Sequence, residues 1–349
     1  MKNLRKFIKN NEKIYFIARV LQQFRNPDFR KRVIDLTDSP STVKVERLGE
    51  KNPDKLFYLI DIDDSGGPSG LFALLNDTVK RLELARRLGA TPYVRFVNTS
   101  YYPEGNAFER YFLQLTDISY EDILQSQNVI KSKIQDGFER DDSQVYYEKD
   151  GFLQAIGALY KKYIHLQPEI SERLESDIKT SGMAGELENS IGIHFRGTDF
   201  RQSLIGHPQY VSYDDYVNAV RELRGGYKNI FICTDDENAL KYFQNAFQND
   251  FSKILFYQNT MRSTGDIGLH YAVLKNPVHD KDIGYEVIRD VYSLARCRVL
   301  LAGVSNVSFS ARAINVSSER PFEFCKILNH GLNSSGITSK VFNENFVKS

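Results

Sequence analysis

The sequence predicts an α/β protein of two domains, with a doubly wound parallel sheet in its second half. Short apolar runs of strand length alternate along the chain with longer amphipathic segments of helical spacing. Several of the apolar runs end in glycine-rich or charged residues, at the positions where open α/β sheets bind their ligands. The length of 349 residues is typical of two ordinary domains.

The amino-acid composition limits the classes of function that the protein can have. A hydrophobic fraction of 41% is ample for two cores, and a formal net charge of +1 excludes a generally basic nucleic-acid-binding protein. The three cysteines, Cys233, Cys297 and Cys325, lack the spacing of a metal site, and we expect no metal. Cys233 and Cys297 lie in apolar contexts, so we predict buried free thiols, which suits a reducing compartment.

The N-terminal residues 1–33 are strongly basic, with apolar side chains at near-helical spacing. One interpretation is an amphipathic helix on an anionic membrane surface, and the other is an ordinary helix packed on the first domain. The chain shows neither an apolar run of about 18 residues nor a signal-peptide pattern. We therefore expect a cytoplasmic protein, peripheral on the inner membrane under the first interpretation.

The first half begins with a predicted buried strand at 55–62, a glycine-rich loop at 63–70 and a helix at 71–88. Gly66, Gly67 and Gly70 let the backbone approach a ligand, and a helix start offers free N–H groups to an anion, so we predict a phosphate loop. The alternative is a plain connection, because the loop has neither Walker nor Rossmann glycine spacing.

A second strand is predicted at 91–97, followed by an aromatic loop at 98–112 that either stacks on sugar rings or covers the core. Helices follow at 152–164 and 168–179. The small residues and glycines at 180–185 mark the boundary between domains 1–184 and 185–349.

The second half repeats strand and helix regularly. Strands are predicted at 191–195, 229–233, 254–257 and 299–302, and helices at 213–223, 237–247, 284–296 and through residue 315. This alternation is typical of a doubly wound parallel sheet.

Polar side chains follow three of these strands, and parallel strands bring such ends to one edge. They are His194, Arg196 and Asp199, then Asp235 and Asp236, then Ser305, Asn306 and Ser308. A further acid, Asp290, lies in a helix with apolar neighbours. Carboxylates suit the donors of guanine, Arg suits diphosphate, and hydroxyls at a helix start suit phosphate oxygens, so the set predicts a nucleotide site. The alternatives are a solvated Arg–Asp pair and a surface acid on the helix.

Three motifs here resemble those of the fucosyltransferase superfamily, closest to its α1,6-fucosyltransferase and nodulation-fucosyltransferase branch. Residues 192–199 resemble its His-x-Arg-Arg motif, and residues 230–236 its strand ending in Thr-Asp-Asp. Residues 290–308 resemble its acidic helix followed by a strand with small polar residues. The first half resembles the family only through its glycine-rich loop and the following helix.

The resemblance implies a GT-B fold, in which two Rossmann-type domains with doubly wound parallel sheets face a cleft. Domain 185–349 would hold a GDP-sugar donor, domain 1–184 would face the acceptor, and the last helix and tail would pack back on the first domain. The implied reaction is an inverting, metal-independent transfer with no cofactor besides the donor. It would move a sugar, fucose in most of the family, to a glycan or lipid-linked glycan in bacterial surface polysaccharide synthesis.

The resemblance also implies roles for single residues. Arg196 would bind the β-phosphate and support the GDP leaving group, while His194 and Asp290 would contact the guanine end. The implied donor site further includes Ser305, Asn306 and Ser308 near the diphosphate and the shaping carboxylates Asp199, Asp235 and Asp236.

Three departures from the motif remove expected groups. Gly197 stands where the motif has its second Arg. Phe200, with Arg201 beside it, stands where the closest branch has a Lys, and Leu204 stands at the position of that branch's carboxylate base. An inverting transfer needs a proton acceptor.

For this role we predict Asp63 and Asp64, beside the glycine-rich loop. Three histidines, His207, His270 and His279, are left out of the site because a lone loop histidine is more often a surface residue. The alternative functions are a transferase of another GDP-deoxysugar and a non-catalytic nucleotide- or glycan-binding module.

Overall fold

The computed structural model describes residues 43–66, 69–133, 151–223, 225–275 and 282–342. The chain divides into two compact units, Met1–Glu46 and Arg47–Ser349. The described part of the first unit contains the short strand β1 (Val45–Glu46). The basic residues 1–33, Gly67 and His279 lie outside the described residues, so the predictions made for them stay predictions.

Three parallel strands organise the N-terminal half of the large unit. The central strand β2 (Phe57–Asp63) lies between β3 (Thr91–Val97) and β4 (Val129–Lys131). Helix α1 (Leu71–Arg87) connects β2 to β3, as predicted. The first four residues of β2 are buried, because their apolar side chains face packed elements on both sides of the sheet.

The aromatic segment after β3 differs from the predicted loop. It contains helix α2 (Ala107–Tyr111), whose first N–H groups are capped by the Asn106 side chain. Phe108 is fully buried, and its ring lies 5.6 Å from that of Phe96. This part of the segment therefore covers the core. Helix α3 (Tyr120–Ile123) and strand β4 follow, and β4 was not predicted.

The second half forms a five-stranded sheet with helices on both faces. Helices α4 (Phe152–Tyr163) and α5 (Pro168–Thr180) end the first half. The elements of the second half are β5 (Ser190–Phe195), α6 (Tyr213–Leu223), β6 (Asn229–Thr234), α7 (Glu237–Phe247), β7 (Lys253–Leu255), α8 (Leu269–Lys275), α9 (Ile283–Leu294), β8 (Val299–Gly303), α10 (Asn306–Val316), β9 (Phe324–Leu328) and α11 (Ser339–Phe342). The strand order is β7–β6–β5–β8–β9, and every pair is parallel. The predicted doubly wound sheet is confirmed.

Packing on the two faces of this sheet places strand β5 at its centre. Ile191, Ile193 and Phe195 point to the face covered by α6 and α7. On the other face, a Cβ added to Gly192 would lie 2.9 Å from the sulfur of Cys297, so the glycine lets the end of α9 approach the strand. Cys297 and Cys233 are buried free thiols, as predicted.

Helix α10 packs against helices α1 and α4 of the first half. At this contact the buried Ser310 hydroxyl donates to Asn76 Oδ1 at 3.0 Å and lies 2.9 Å from the Tyr160 hydroxyl. Residues 331–337 pair with the loop 203–209 of the second half, where Ile205 N–H donates to the Ile337 carbonyl at 2.9 Å. The packing of the last helix and tail on the first domain stays a prediction.

None of the described helices is both long and apolar enough to cross a membrane.

Candidate active site

The strand order of the second sheet reverses between β5 and β8, and a charged cluster lies there. Arg196 follows β5 directly and contacts two carboxylates: Nη2 lies 2.7 Å from Asp199 Oδ1, and Nη1 lies 2.9 Å from Asp235 Oδ2. Asp235 also accepts hydrogen bonds from the Gly197 N–H and the Thr198 hydroxyl, at 3.1 and 2.7 Å. The guanidinium is therefore fixed before any ligand arrives.

Opposite charges keep this cluster ionised. Burial would lower the pKa of Arg196, but Asp199 and Asp235 outweigh burial and raise it. Burial would likewise raise the pKa of Asp199, but Arg196 holds that pKa below its usual value. The Arg196 side chain is 22% exposed, so its remaining N–H groups are open to a ligand.

A cavity that is open at its mouth adjoins Arg196. Tyr101 reaches it from the N-terminal half. The other lining residues come from the second half: His194, Arg196, Cys233, Thr234, Asp235, Thr260, Met261, Leu269, His270, Ile283, Glu286, Val287, Asp290 and Val307. The structure thus brings together four of the predicted site residues in this lining, namely His194, Arg196, Asp235 and Asp290.

The start of helix α10 borders the same cavity through Val307. Ser305 caps this helix by accepting from the Ser308 N–H at 3.0 Å, and its hydroxyl lies 3.3 Å from His194 Nδ1. Burial lowers the pKa of His194 to about 4, so the ring is neutral at pH 7. Ser308 Oγ accepts from the Ser305 N–H at 3.1 Å, which completes the capping box, and it donates to the Gly303 carbonyl at 2.7 Å.

Asn306 turns toward the first half. Its Oδ1 accepts from the Asn76 side chain of helix α1 at 3.0 Å. Asn306 therefore has a role in packing and Ser308 one in capping, and both roles compete with the predicted contacts to a diphosphate. The backbone N–H groups at the start of helix α10 can bind an anion in the cavity.

Two acids of helix α9 line the cavity. The thiol of Cys233 donates to Asp290 Oδ2 at 3.3 Å, and burial raises the pKa of Asp290 to about 6. Glu286 accepts from the backbone N–H of Met261 at 2.7 Å. Asp290 faces the sheet, as the apolar neighbours in its helix suggested.

Asp236 lies beneath the Arg196 loop rather than in the cavity lining. It is fully buried, caps helix α7 by accepting from the Asn238 N–H at 2.9 Å, and accepts from the Tyr213 hydroxyl at 3.0 Å. Arg201 forms an ion pair with it and another with Asp266 at 3.0 Å. The guanidinium of Arg201 is thus already paired and does not belong to the cavity lining.

The two candidate bases lie in different surroundings. Asp63 is exposed, and hydrogen bonds from Asn98 at 2.8 Å and Ser65 at 3.0 Å lower its pKa. Asp64 is 7% exposed, and burial raises its pKa, although it accepts from the Ser69 N–H at 2.9 Å.

Asp64 does not line the cavity itself, but its charge acts on Tyr101, which does. Burial raises the pKa of Tyr101 to about 12, and the charges of Asp64 and Asp199 add to the shift. Gly70, the residue before helix α1, borders the same tyrosine: a Cβ added there would lie 4.0 Å from the Tyr101 hydroxyl. Gly66 ends the short 3-10 turn Asp64–Gly66.

Leu204, at the position of the motif's carboxylate base, is 3% exposed and lies in the loop that pairs with the tail. No described group of three or more His, Cys, Asp or Glu side chains is arranged to hold a metal ion.

Two lining residues differ from the sequence-based expectation. A lone loop histidine is more often a surface residue, but His270 is 8% exposed and lies at the start of α8. Tyr101 is one of several aromatic residues in its segment. Neither position carries a periodic or motif signal that distinguishes it from its neighbours.

No family model matches the chain, and no curated protein matches its sequence significantly. Among solved structures, the fucosyltransferase NodZ from Bradyrhizobium matches at a TM-score of 0.45 and 18% identity, over 74% of this chain and 92% of that one. POFUT1 in its apo form matches at 0.46 and 11%, over 78% and 99%. POFUT1 in complex with GDP-fucose matches at 0.43 and 10%, over 79% and 99%.

Proposed function

We propose that this chain is a glycosyltransferase that moves a sugar, fucose by the resemblance of its motifs, from a GDP-sugar to a glycan or lipid-linked glycan. The transfer is inverting and needs no metal ion. The observation that carries the proposal is Arg196, held by Asp199 and Asp235 where the strand order of the sheet reverses and a cavity opens.

In this proposal the diphosphate binds Arg196 and the start of helix α10. Each charge-assisted hydrogen bond contributes about 1.5–3 kcal/mol. As the bond between sugar and phosphate breaks, negative charge grows on the leaving GDP, and the fixed guanidinium stabilises it without having to move. Asp199 and Asp235 act by orienting Arg196.

The guanine base binds near Asp290 in the same cavity. A carboxylate accepts from both the N1–H and the 2-amino group of guanine. The pKa of Asp290, about 6, leaves most of this carboxylate ionised at pH 7. A uracil or cytosine ring lacks this pair of donors, which favours GDP over UDP or CMP.

Nucleotide binding tests the proposal directly. Calorimetry and thermal stabilisation with GDP, UDP, CMP and ADP, in EDTA, should show selective binding of GDP. Hydrolysis of GDP-fucose without an acceptor would then distinguish an enzyme from a binding module. A preference for UDP or CMP, or no binding, would refute the donor assignment.

Asp64 is the proton acceptor that we propose for the acceptor hydroxyl. Its raised pKa brings it closer to neutral pH than that of Asp63, and a base works best when its pKa lies near the operating pH. Asp64→Asn should lower kcat by about a hundredfold or more, within the range for general bases, and leave GDP affinity unchanged.

Asp63→Asn is the matched control, because it removes a neighbouring carboxylate that is exposed. It should change kcat by less than about threefold. Because the unprotonated carboxylate is the active form, the wild-type rate should rise with pH through the raised pKa of Asp64, and the Asp64→Asn variant should lose that rise. Equal losses in the two variants would contradict the assignment.

A further inference from the structure

His270 occupies a position in the cavity that the proposed function does not yet use. It lies in the first turn of helix α8, and its ring lies tilted against that of Tyr271, with centroids 4.2 Å apart. A Cβ added to Gly268 would lie 2.9 Å from His270 Cε1 and 3.2 Å from Arg196 Nη2. The imidazole and the guanidinium therefore border the same small volume above Gly268.

The side chain of His270 can contact a ligand in the cavity, because it is 8% exposed and belongs to the lining. Both ring nitrogens of a protonated imidazole are hydrogen-bond donors. A charged donor of this kind forms strong hydrogen bonds with phosphate oxygens.

The surroundings of His270 keep its ring neutral at pH 7. Burial, together with the charge of Arg196, lowers its pKa to about 4, although Asp199 and Asp235 act in the opposite direction. The other titratable groups that line the cavity or touch the ring are Tyr101, His194, Cys233, Glu286, Asp290 and Tyr271. An anion bound between Arg196 and His270 would offset both the burial and the positive charge of Arg196.

We propose that His270 binds the diphosphate of the nucleotide beside Arg196 and takes up a proton from solvent as it does so. This inference rests on the proposed function, because it uses the same diphosphate position. In the complex, protonated His270 is a second cation beside Arg196. Its positive charge replaces part of the charge that the second Arg of the motif would supply, since this chain has Gly197 at that position.

Two ligands separate a phosphate contact from a general effect on the fold. GDP and guanosine share the base and the ribose, but only GDP carries the diphosphate. His270→Phe should weaken GDP by about tenfold or more, the loss expected for one charge-assisted hydrogen bond, and change guanosine affinity by less than about twofold. His270→Gln, which keeps a donor without a titrating group, should lose less GDP affinity than His270→Phe.

Proton uptake is the second measurement. Calorimetry of GDP binding near pH 7, in buffers of different ionisation enthalpy, measures the number of protons taken up. The wild type should take up more protons than His270→Gln. Guanosine should show no such excess, because it leaves the region of Arg196 empty. The excess should grow as the pH falls toward 6, since protonation then costs less.

His207→Gln is the matched control. His207 is only half-buried, also interacts with the charges of Arg196 and Asp199, and does not line the cavity. Its GDP affinity and proton uptake should equal those of the wild type. Equal losses of GDP and guanosine affinity in both His270 variants, or equal proton uptake in wild type and His270→Gln, would overturn the inference.

Inorganic pyrophosphate keeps this test separate from the donor assignment. If the wild type prefers another nucleotide over GDP, the proposed donor is wrong, yet pyrophosphate affinity still reports on His270. Weaker pyrophosphate binding by His270→Phe would support the inference in that case, and unchanged binding would refute it.

Discussion

Replacement of Arg196 by Ala should lower kcat/KM for GDP-sugar turnover by about a thousandfold or more. The variant loses two charge-assisted hydrogen bonds to the diphosphate, at about 1.5–3 kcal/mol each. It also leaves Asp199 and Asp235 without the cation that lies 2.7 and 2.9 Å from them. Their negative charge would then repel the phosphate.

The measurement is the steady-state rate of GDP-fucose hydrolysis or transfer, with a thermal unfolding curve for each variant. Arg196→Lys keeps the charge but loses the planar fork, so it should fall between Ala and wild type. Arg298→Ala is the matched control, because Arg298 lies before strand β8, at the opposite edge of the same sheet, and pairs with Glu323 at the surface. Unchanged turnover in Arg196→Ala would mean that the loop has another function.

Replacement of Gly197 by Ala should destabilise the fold by about 1–3 kcal/mol, the usual cost of overpacking. A Cβ at this position would lie 2.4 Å from Asp236 Oδ2. Asp236 cannot withdraw without losing the cap of helix α7 and its ion pair with Arg201. Gly197→Arg, which restores the second Arg of the motif, should therefore lower activity as well as stability.

Denaturant unfolding at equilibrium measures the difference. Gly225→Ala is the control, because no atom of the described residues lies within 4 Å of the added Cβ and the φ of Gly225 is not in the left-handed region. That variant should stay within about 0.5 kcal/mol of the wild type. A Gly197→Ala variant as stable as Gly225→Ala would show that Asp236 moves freely.

The main helices and strands of both halves are predictable because their apolar side chains recur with a clear period. The strands at the centres of the two sheets, β2 and β5, are continuous apolar runs, and helices such as α6 and α7 carry clear apolar stripes. Strand β4 has only three residues, and β9 is exposed or half-exposed throughout, so neither leaves an apolar run to recognise.

The site was predictable only as a set of strand ends. Topology brings His194, Arg196 and Asp235 to one edge, and this follows from strand order alone. The direction of a polar side chain at this edge decides whether it contacts a ligand or forms a hydrogen bond with a nearby backbone group. Asp236 and Ser308 cap helices α7 and α10, and local sequence does not separate a cap from a ligand contact.

His270 was missed for a related reason. It lies 71 positions beyond Asp199 in the sequence, and only the fold makes them neighbours. Its burial comes from packing with Tyr271 and with the loop of Arg196, and neither contact has a local signal.

Helix α10 has a consequence for how the molecule loses its structure. The same eleven residues follow the cap that holds Ser305 against His194 and pack, through Ser310, on Asn76 and Tyr160 of the first half. If either sheet unfolds, helix α10 loses its contacts on one side, and buried polar groups lose their hydrogen-bond partners. The two halves are therefore expected to unfold cooperatively, and a variant that destabilises the N-terminal helices should also disorder the cavity beside Arg196.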